Sequence, residues 1–160
     1  MRDYVMFMTG IHTGLRISDI LPLRVRDVEG THIRIEEQKT GKYKRIFISP
    51  ILSKIFKEYT QGMKKRDLLF KSKRKTRTGK PKPIDRTTAY KMLRDAAIAI
   101  DFGESFGTHS LRKTFGYNFY QKYKDIGSLQ KYFNHDKQST TLYYIGVGQD
   151  DLDEKVAHLY

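Results

Sequence analysis

The sequence predicts an α+β domain that is mostly α-helical and contains a small antiparallel β-sheet. In several segments, apolar residues recur at the three- and four-residue spacing of one helix face. Between residues 32 and 48, apolar and polar residues instead alternate, which is the pattern of half-buried strands. The chain has 160 residues, of which 38% are hydrophobic, and this is enough for one domain with its own core.

The N-terminal segment predicts two helices separated by a break at His12-Thr13-Gly14. The second helix is short, because it begins near Arg16 and is limited by Pro22. This arrangement places Arg16 at a helix start. The apolar residues expected on the first helix are Tyr4, Phe7, Met8 and Ile11, and those on the second are Ile17, Ile20 and Leu21.

Residues 32–48 predict a β-hairpin whose turn is Lys39-Thr40-Gly41-Lys42. Ser49 and Pro50 then have the residue types preferred at the N-cap and the first position of a helix. A basic loop is expected over residues 71–82, since this segment contains Gly and Pro and no core position. The amphipathic helix that follows Ser49 carries Leu52, Ile55, Phe56 and Tyr59.

The second half of the chain predicts further helices. Asp85 is expected to cap one of them, and Thr108 to open another. Helices are also expected near 125–133 and 137–145, and a short amphipathic helix in the tail 149–160. The apolar residues expected on the helices after Asp85 and Thr108 are Tyr90, Leu93, Ala97, Ile100, Leu111, Phe115 and Phe119, and Tyr123 and Phe133 are also expected in the core.

The chain is strongly basic, since 31 Lys and Arg residues against 18 Asp and Glu give a net charge of +13 and a pI near 9.8. This balance points to a polyanionic partner, with nucleic acid ahead of an acidic membrane surface. No apolar run approaches the roughly 18 residues of a transmembrane helix, and no N-terminal signal peptide is expected. The absence of cysteine excludes disulfides, a Cys-liganded zinc site and thiol catalysis.

Common nucleotide- and metal-binding motifs are missing from the sequence. It contains no P-loop, no H-E-x-x-H and no EF-hand loop, and its five His residues do not have the spacing of metal ligands. We therefore expect neither a metal nor a cofactor. Chemistry on a polyanion would then depend on side-chain cations.

Side chains suited to such chemistry follow one another along the chain. Each motif alone is more often an exposed ion pair, a helix cap or a core residue, because short motifs match by chance. Their occurrence together, in one order, favours a functional site. In chain order the residues are Arg16 and Asp19 in Gly14–Asp19, Lys39 at the hairpin turn, His109 and Arg112 on one helix face, His135, and Tyr144 nine residues later.

This set resembles the catalytic domain of the tyrosine recombinases, the family of phage integrases and Xer-type resolvases. Gly14–Leu23 is similar to the family's G-L-R-x-[ST]-E/D-x-x-x-L box, and Lys39-Thr40-Gly41-Lys42 to its lysine-bearing turn. His109–Arg112 resembles the H-x-x-R box, and Thr140–Tyr144 the T-T-x-x-Y ending. The resemblance covers roughly residues 1–147.

The resemblance implies site-specific DNA recombination or integration through a 3′-phosphotyrosine intermediate, without metal or cofactor. The implied partners are double-stranded DNA at attachment or recombination sites, further copies of the chain in a tetramer on DNA, and accessory directionality proteins, in the cytoplasm of a bacterial cell. Asp19 is expected to orient Arg112 or His109 through hydrogen bonds. The implied catalytic residues are Arg16, Lys39, His109, Arg112, His135 and Tyr144, and the residues expected to contact DNA are Lys42, Lys44, Lys73, Arg74, Lys75, Arg77 and Lys113.

Two assignments stay open within this resemblance, and the sequence departs from the family pattern in two residues. Lys42 and Lys44 compete with Lys39 as the catalytic lysine, and Tyr143 is the neighbour of the expected nucleophile. Asn134 occupies a position that is usually glycine before the second His, and Lys113 one where His is common.

The expected domain layout is a catalytic domain over residues 1–148 and a tail over 149–160 that docks on a neighbouring subunit. The family's N-terminal core-binding domain is expected to be absent. Three rival functions fit the basic composition: a DNA-binding module without enzymatic activity, a type IB topoisomerase-like enzyme that relaxes DNA, and a protein-interaction domain with an incidental basic face.

Overall fold

The computed structural model describes residues 1–39, 41–148 and 156–157. The chain divides into two compact units, residues 1–112 and 113–160. The helices are α1 (Arg2–Thr13), α2 (Ile17–Ile20), α3 (Val25–Val28), α4 (Pro50–Tyr59), α5 (Arg86–Ala99), α6 (Thr108–Tyr123), α7 (Ile126–Phe133) and α8 (Gln138–Ile145). The strands are β1 (His32–Glu36), β2 (Tyr43–Phe47), β3 (Lys71–Lys75) and β4 (Pro81–Pro83). The predicted class is confirmed, since the described part is mostly helical with two small antiparallel sheets.

Helix α1 forms where the spacing predicts it, but it buries a different face. Tyr4 is about half exposed, whereas Val5 and Met6 are fully buried. Thr9 and Thr13 share this buried face, because each hydroxyl donates to the carbonyl oxygen four residues earlier and so needs no water. The apolar pattern alone misses a helix face that includes such polar residues.

The β1–β2 hairpin is confirmed. The two strands pair antiparallel, with Ile33 opposite Ile46 on the buried side and Arg34 opposite Arg45 on the other. The helix after it, α4, begins at Pro50 as expected, and the hydroxyl of the preceding Ser49 accepts a hydrogen bond from the amide of Leu52.

The prediction of a loop over residues 71–82 is wrong, because strands β3 and β4 form a second hairpin there. Around its turn, the amide of Thr76 donates to Lys80 and that of Gly79 donates back to Thr76. Buried Phe70 and Ile84, joined by a backbone hydrogen bond, anchor the hairpin base. The strands carry almost no buried side chain, so they show no apolar alternation from which they could be predicted.

Helix α5 begins as predicted, since the Asp85 carboxylate accepts a hydrogen bond from the amide of Thr88. Its buried residues are Ala89, Leu93 and Ala97. Tyr90 and Ile100 are exposed and do not belong to the core, because Tyr90 lies beside the buried stripe and Ile100 is already the C-cap.

The second unit contains the last turns of α6 together with α7 and α8, and both of the latter match the predicted helices. Its core is built from Leu129, Phe133 and Ile145, against which Phe115 and Phe119 pack. The expectation that Tyr123 is a core residue is wrong: it is the last residue of α6 and is mostly exposed. The predicted tail helix lies outside the described residues, apart from helical, exposed Val156 and Ala157.

Candidate active site

The first unit contains a cavity of about 440 Å³ whose wall is rich in cations. Four of the six predicted catalytic residues line it, although they are spread over almost a hundred positions of sequence: Arg16, Lys39, His109 and Arg112. Ser18, Gln38, Thr108 and Arg86 complete the polar part of the wall. Arg86 was missed by the sequence reasoning, although its position directly after the capping Asp85 marks it as the first residue of α5.

Arg16 is held by a buried carboxylate. Its residue is the extended N-cap of α2, and its Nη1 donates to Glu37 Oε1 at 2.9 Å. The same oxygen lies 3.0 Å from Lys44 Nζ, and the Glu37 side chain is only 1% exposed. Glu37 was also missed from the sequence. Its signal is the strand alternation, because the inward positions Ile33 and Ile35 continue to residue 37.

Lys44 is mostly buried beside this carboxylate, with a side-chain exposure of 15%. Burial lowers the pKa of its ammonium group, while the hydrogen bond and the charge of Glu37 oppose that shift. Lys44 was expected to contact DNA and to compete with Lys39 for the catalytic role. It has an internal ion-pair partner, whereas Lys39 is exposed and lines the cavity.

Arg112 is buried beneath the cavity, and its Nη1 donates to the carbonyl oxygen of Gly14. Gly14 is the C-cap of α1 and has the left-handed φ of 57°, which glycine adopts without steric cost. His109 and Arg112 both lie in the first turns of α6, where a spacing of three residues puts their side chains on one face.

Asp19 does not make the hydrogen bonds that were expected of it. Its Oδ1 accepts from the backbone amide of Gln38, the residue before Lys39, and its Oδ2 has no donor among the described residues. Burial raises the pKa of the Asp19 carboxyl, and Arg16 and Arg112 act on it only through their charge. Asp19 therefore ties α2 to the hairpin end that carries the cavity lysine.

The second unit holds the other two predicted catalytic residues close to each other. The rings of His135 and Tyr144 are 5.5 Å apart in an edge-to-face arrangement, and Phe133 lies 5.4 and 5.7 Å from them, respectively. His135 Nδ1 lies 3.1 Å from the hydroxyl of buried Thr141. Lys113 Nζ lies 5.8 Å from the centre of the Tyr144 ring.

Asn134 performs the turn that glycine usually makes before the second His. It ends α7 with a left-handed φ of 56°, a conformation that asparagine tolerates better than other non-glycine residues. The amide of His135 then donates to the carbonyl of Gln130, and the Gln130 side-chain amide donates to the carbonyl of His135. This turn keeps His135 against the end of α7.

The two neighbouring tyrosines differ in their surroundings. Tyr143 is 88% exposed, whereas Tyr144 is partly buried against the core of its unit and beside His135. The remaining cations expected to contact DNA are exposed: Lys42 at the hairpin end, Lys73, Arg74 and Lys75 on β3, Arg77 in the following turn, and Lys113 on α6.

The described residues contain neither a metal-binding cluster nor a membrane-spanning helix. They contain no group of three or more His, Cys, Asp or Glu side chains placed to hold a metal ion. None of their helices is both long enough and apolar enough to span a membrane.

A mostly helical domain with side chains of these types in this order is typical of the tyrosine recombinases, a class of DNA strand-transfer protein. Residues 1–150 match the phage integrase family, and the chain belongs to that family. It is 51% identical over 150 residues to the probable integrase/recombinase YoeC of Bacillus subtilis (strain 168), covering 93% of this chain and 80% of YoeC.

Solved structures have the same fold. The XerH site-specific recombinase, in a post-cleavage complex with palindromic difH substrate, superposes with a TM-score of 0.75 at 23% identity, over 98% of this chain. The catalytic domain of bacteriophage HP1 integrase superposes with a TM-score of 0.62 at 22% identity, over 96% of this chain and 79% of that domain. The chain spans only 45% of the XerH chain.

Proposed function

We propose that residues 1–148 form a catalytic domain that cuts and rejoins DNA at specific sites through a covalent bond to Tyr144. One observation carries the proposal: a single cavity in the first unit gathers Arg16, Lys39, His109 and Arg112 from separate elements. Such a concentration of cationic and hydrogen-bonding groups suits a phosphodiester, whose nonbridging oxygens gain negative charge in the transition state.

The two arginines would bind those nonbridging oxygens. A guanidinium group presents planar pairs of N–H donors that match phosphate oxygens and remains charged at any working pH. Glu37 holds Arg16, and the Gly14 carbonyl holds Arg112, so both groups are oriented before DNA arrives. Orientation in advance avoids reorganisation during the reaction, which is the main source of electrostatic catalysis.

Tyr144 would supply the nucleophile. Its hydroxyl oxygen attacks phosphorus, the bond to the 5′-oxygen breaks, and a 3′-phosphotyrosine forms. The phenol proton passes to a histidine, and the Lys39 ammonium gives a proton to the departing 5′-oxygen. Attack by a 5′-hydroxyl reverses these steps, so the bond energy is conserved and no metal or cofactor is needed.

Double-stranded DNA at recombination sites is the proposed substrate. The charge of +13 favours a polyanion, and the related XerH recombinase is bound to difH substrate in its solved complex. The exposed cations of β3 and its turn would follow the phosphate backbone of this DNA. Assembly as a tetramer on DNA, docking of the tail 149–160 on a neighbouring subunit and accessory directionality proteins belong to the same proposal.

The decisive test is to trap and map the covalent adduct. The chain would be incubated in EDTA with nicked DNA that carries a candidate attachment site, and denaturant-resistant protein–DNA adducts would be digested and sequenced. Wild type should give a phosphotyrosine at residue 144. Tyr144→Phe should lose the adduct while keeping DNA affinity, because only the hydroxyl is removed, and Tyr143→Phe should retain most of the activity.

The possible results separate the rival functions. An adduct at Tyr143 would overturn the assignment of the nucleophile, and strict dependence on Mg²⁺ would overturn the phosphotyrosine mechanism. DNA binding without any adduct would favour a module without enzymatic activity. Relaxation of supercoiled plasmid without preference for an attachment site would favour the topoisomerase-like alternative.

A further inference from the structure

The β1–β2 hairpin has an outer face on which two arginines have no ion-pair partner among the described residues. We define the outer face by the residues that alternate with buried residues such as Ile33 and Ile46: His32, Arg34, Glu36, Tyr43, Arg45 and Phe47. Strand alternation puts Lys44 and Glu37 on the other side of the hairpin. The outer face is therefore separate from the network that holds Arg16.

The outer face carries a net positive charge, since Arg34 and Arg45 stand against one carboxylate, that of Glu36. Arg34 and Arg45 lie directly opposite each other on the paired strands, and like charges in this position destabilise a sheet. Among the described residues, neither arginine has an ion-pair partner. Both line a cavity of about 440 Å³. The other residues that line this cavity are Arg26, Asp27, Gly30, Thr31 and His32.

The acidic groups near these arginines are few. Asp27 already accepts a hydrogen bond from the amide of Arg24 and lies 3.6 Å from Arg26. Glu36 follows Arg34 on the outer face, but among the described residues it forms no ion pair with either arginine. The charge of the outer face therefore calls for an external anion.

Two aromatic rings flank Arg45 on strand β2, and Arg34 lies opposite Arg45 on β1. Tyr43 is 83% exposed and Phe47 is 61% exposed, and Arg45 lies between them. Tyr43 and Phe47 are four residues apart on the strand, or about 13 Å, which is roughly two nucleotide steps of an extended single strand. His32 contacts Phe47 edge-to-face at 5.4 Å and supports that ring from one side.

We propose that the outer face binds single-stranded nucleic acid, with bases stacked on Tyr43 and Phe47 and phosphates held by Arg34 and Arg45. Aromatic platforms beside cations are the general means of binding unpaired strands, because every base offers a π-face. In a duplex those faces are already stacked on neighbouring bases. A polyanion without bases would bind the two arginines but would make no stacking contact with the two exposed rings.

This inference does not depend on cleavage through Tyr144, so the two proposals can fail separately. The test measures binding of a labelled oligo(dT) of about eight nucleotides by fluorescence anisotropy, using the full chain. An abasic oligonucleotide of the same length presents the same phosphates without bases. The variant is Tyr43→Ser combined with Phe47→Ser, and Tyr123→Ser is the matched control because its ring is 58% exposed on another element.

The double variant should weaken oligo(dT) binding about tenfold or more, since stacking contributes strongly for each base. Binding of the abasic oligonucleotide and of a blunt duplex should change less than about twofold, and Tyr123→Ser should change none of the three. Equal losses for oligo(dT) and the abasic oligonucleotide, or no loss at all, would overturn the single-strand proposal. Circular dichroism of each variant verifies that the fold is retained.

Discussion

The two compact units hold their functional side chains by different forces. In the first unit, Arg16 is held by an ion pair to Glu37, and Arg112 by a backbone carbonyl. In the second unit, His135 and Tyr144 lie among aromatic rings, the Thr141 hydroxyl contacts His135, and Lys113 lies over the Tyr144 ring. The first arrangement is electrostatic and the second is largely steric.

This difference predicts how each unit responds to substitution. A buried charge that loses its partner keeps its full desolvation cost, so the first unit should be sensitive to changes that leave the shape of a side chain almost unaltered. Ring packing depends on volume and position, so the second unit should be sensitive to added atoms and to backbone geometry instead. Three substitutions test this contrast, in order of decreasing effect.

Glu37→Ala should be the most damaging. It leaves Arg16 and Lys44 without the carboxylate that lies within 3.0 Å of both, and breaking a buried ion pair in this way costs about 3–5 kcal/mol. Glu37→Gln, which preserves shape and removes charge, should also lower the free energy of unfolding measured in urea. The neighbouring exposed residue provides the control, since Glu36→Ala should cost less than about 0.5 kcal/mol. Equal effects at both positions would contradict an electrostatic first unit.

Gly116→Ala should damage the second unit by adding one methyl group. A Cβ at this position would lie 2.6 Å from Ile145 Cγ2 and 2.8 Å from Phe133 Cε2, and such overpacking costs about 1–3 kcal/mol. Gly127→Ala in α7 is the matched control, because its Cβ would have only an ordinary contact at 3.6 Å and the helix should gain up to about 1 kcal/mol. Hydrogen exchange should locate the loss of protection in residues 113–148. Protection lost equally from the first unit would contradict the contrast.

Asn134→Ala should have the smallest of the three effects. Alanine at a φ of 56° costs about 1 kcal/mol, whereas Asn134→Gly should cost less, because glycine adopts this conformation freely. Thermal denaturation gives the stability, and the NMR shifts of the His135 ring report whether the turn still places it. If Asn134→Ala proved neutral, backbone geometry would not be what positions this histidine.

Much of the fold could be predicted because its signals are local. The spacing of apolar residues defines α4, α7 and α8, and the alternation of Ile33 and Ile46 with polar residues defines the first hairpin. The β3–β4 hairpin was missed because both of its faces are largely exposed to water, so its pairing depends on backbone hydrogen bonds and a turn rather than on a core. Tyr123 was wrongly predicted as a core residue because helical spacing does not show how far along the helix other elements pack against it.

The site was predicted less completely than the fold. The order of motifs identified four residues that line one cavity, although nothing local indicates that Arg16 and Arg112 meet there. Glu37 was overlooked because a carboxylate is normally exposed, and only the strand register shows that it points inward. Asp19 was assigned the wrong partner, since its hydrogen bond to a backbone amide of the hairpin leaves no signature in side-chain types.

The hydrogen bond between Gly14 and Arg112 has a consequence for the order in which the cavity is completed during synthesis on the ribosome. Its acceptor and donor are 98 residues apart, so a ribosome working at 5–20 residues per second needs roughly 5–20 s to deliver the second after the first. During that interval the nascent chain already contains Arg16 and, later, the cations of β3, but Arg112, one of the three arginines that line the cavity, has not yet been added. The incomplete chain is therefore already basic before its cavity has all of its cationic side chains. The cavity therefore lacks one of its cationic side chains until residue 112 has been synthesised.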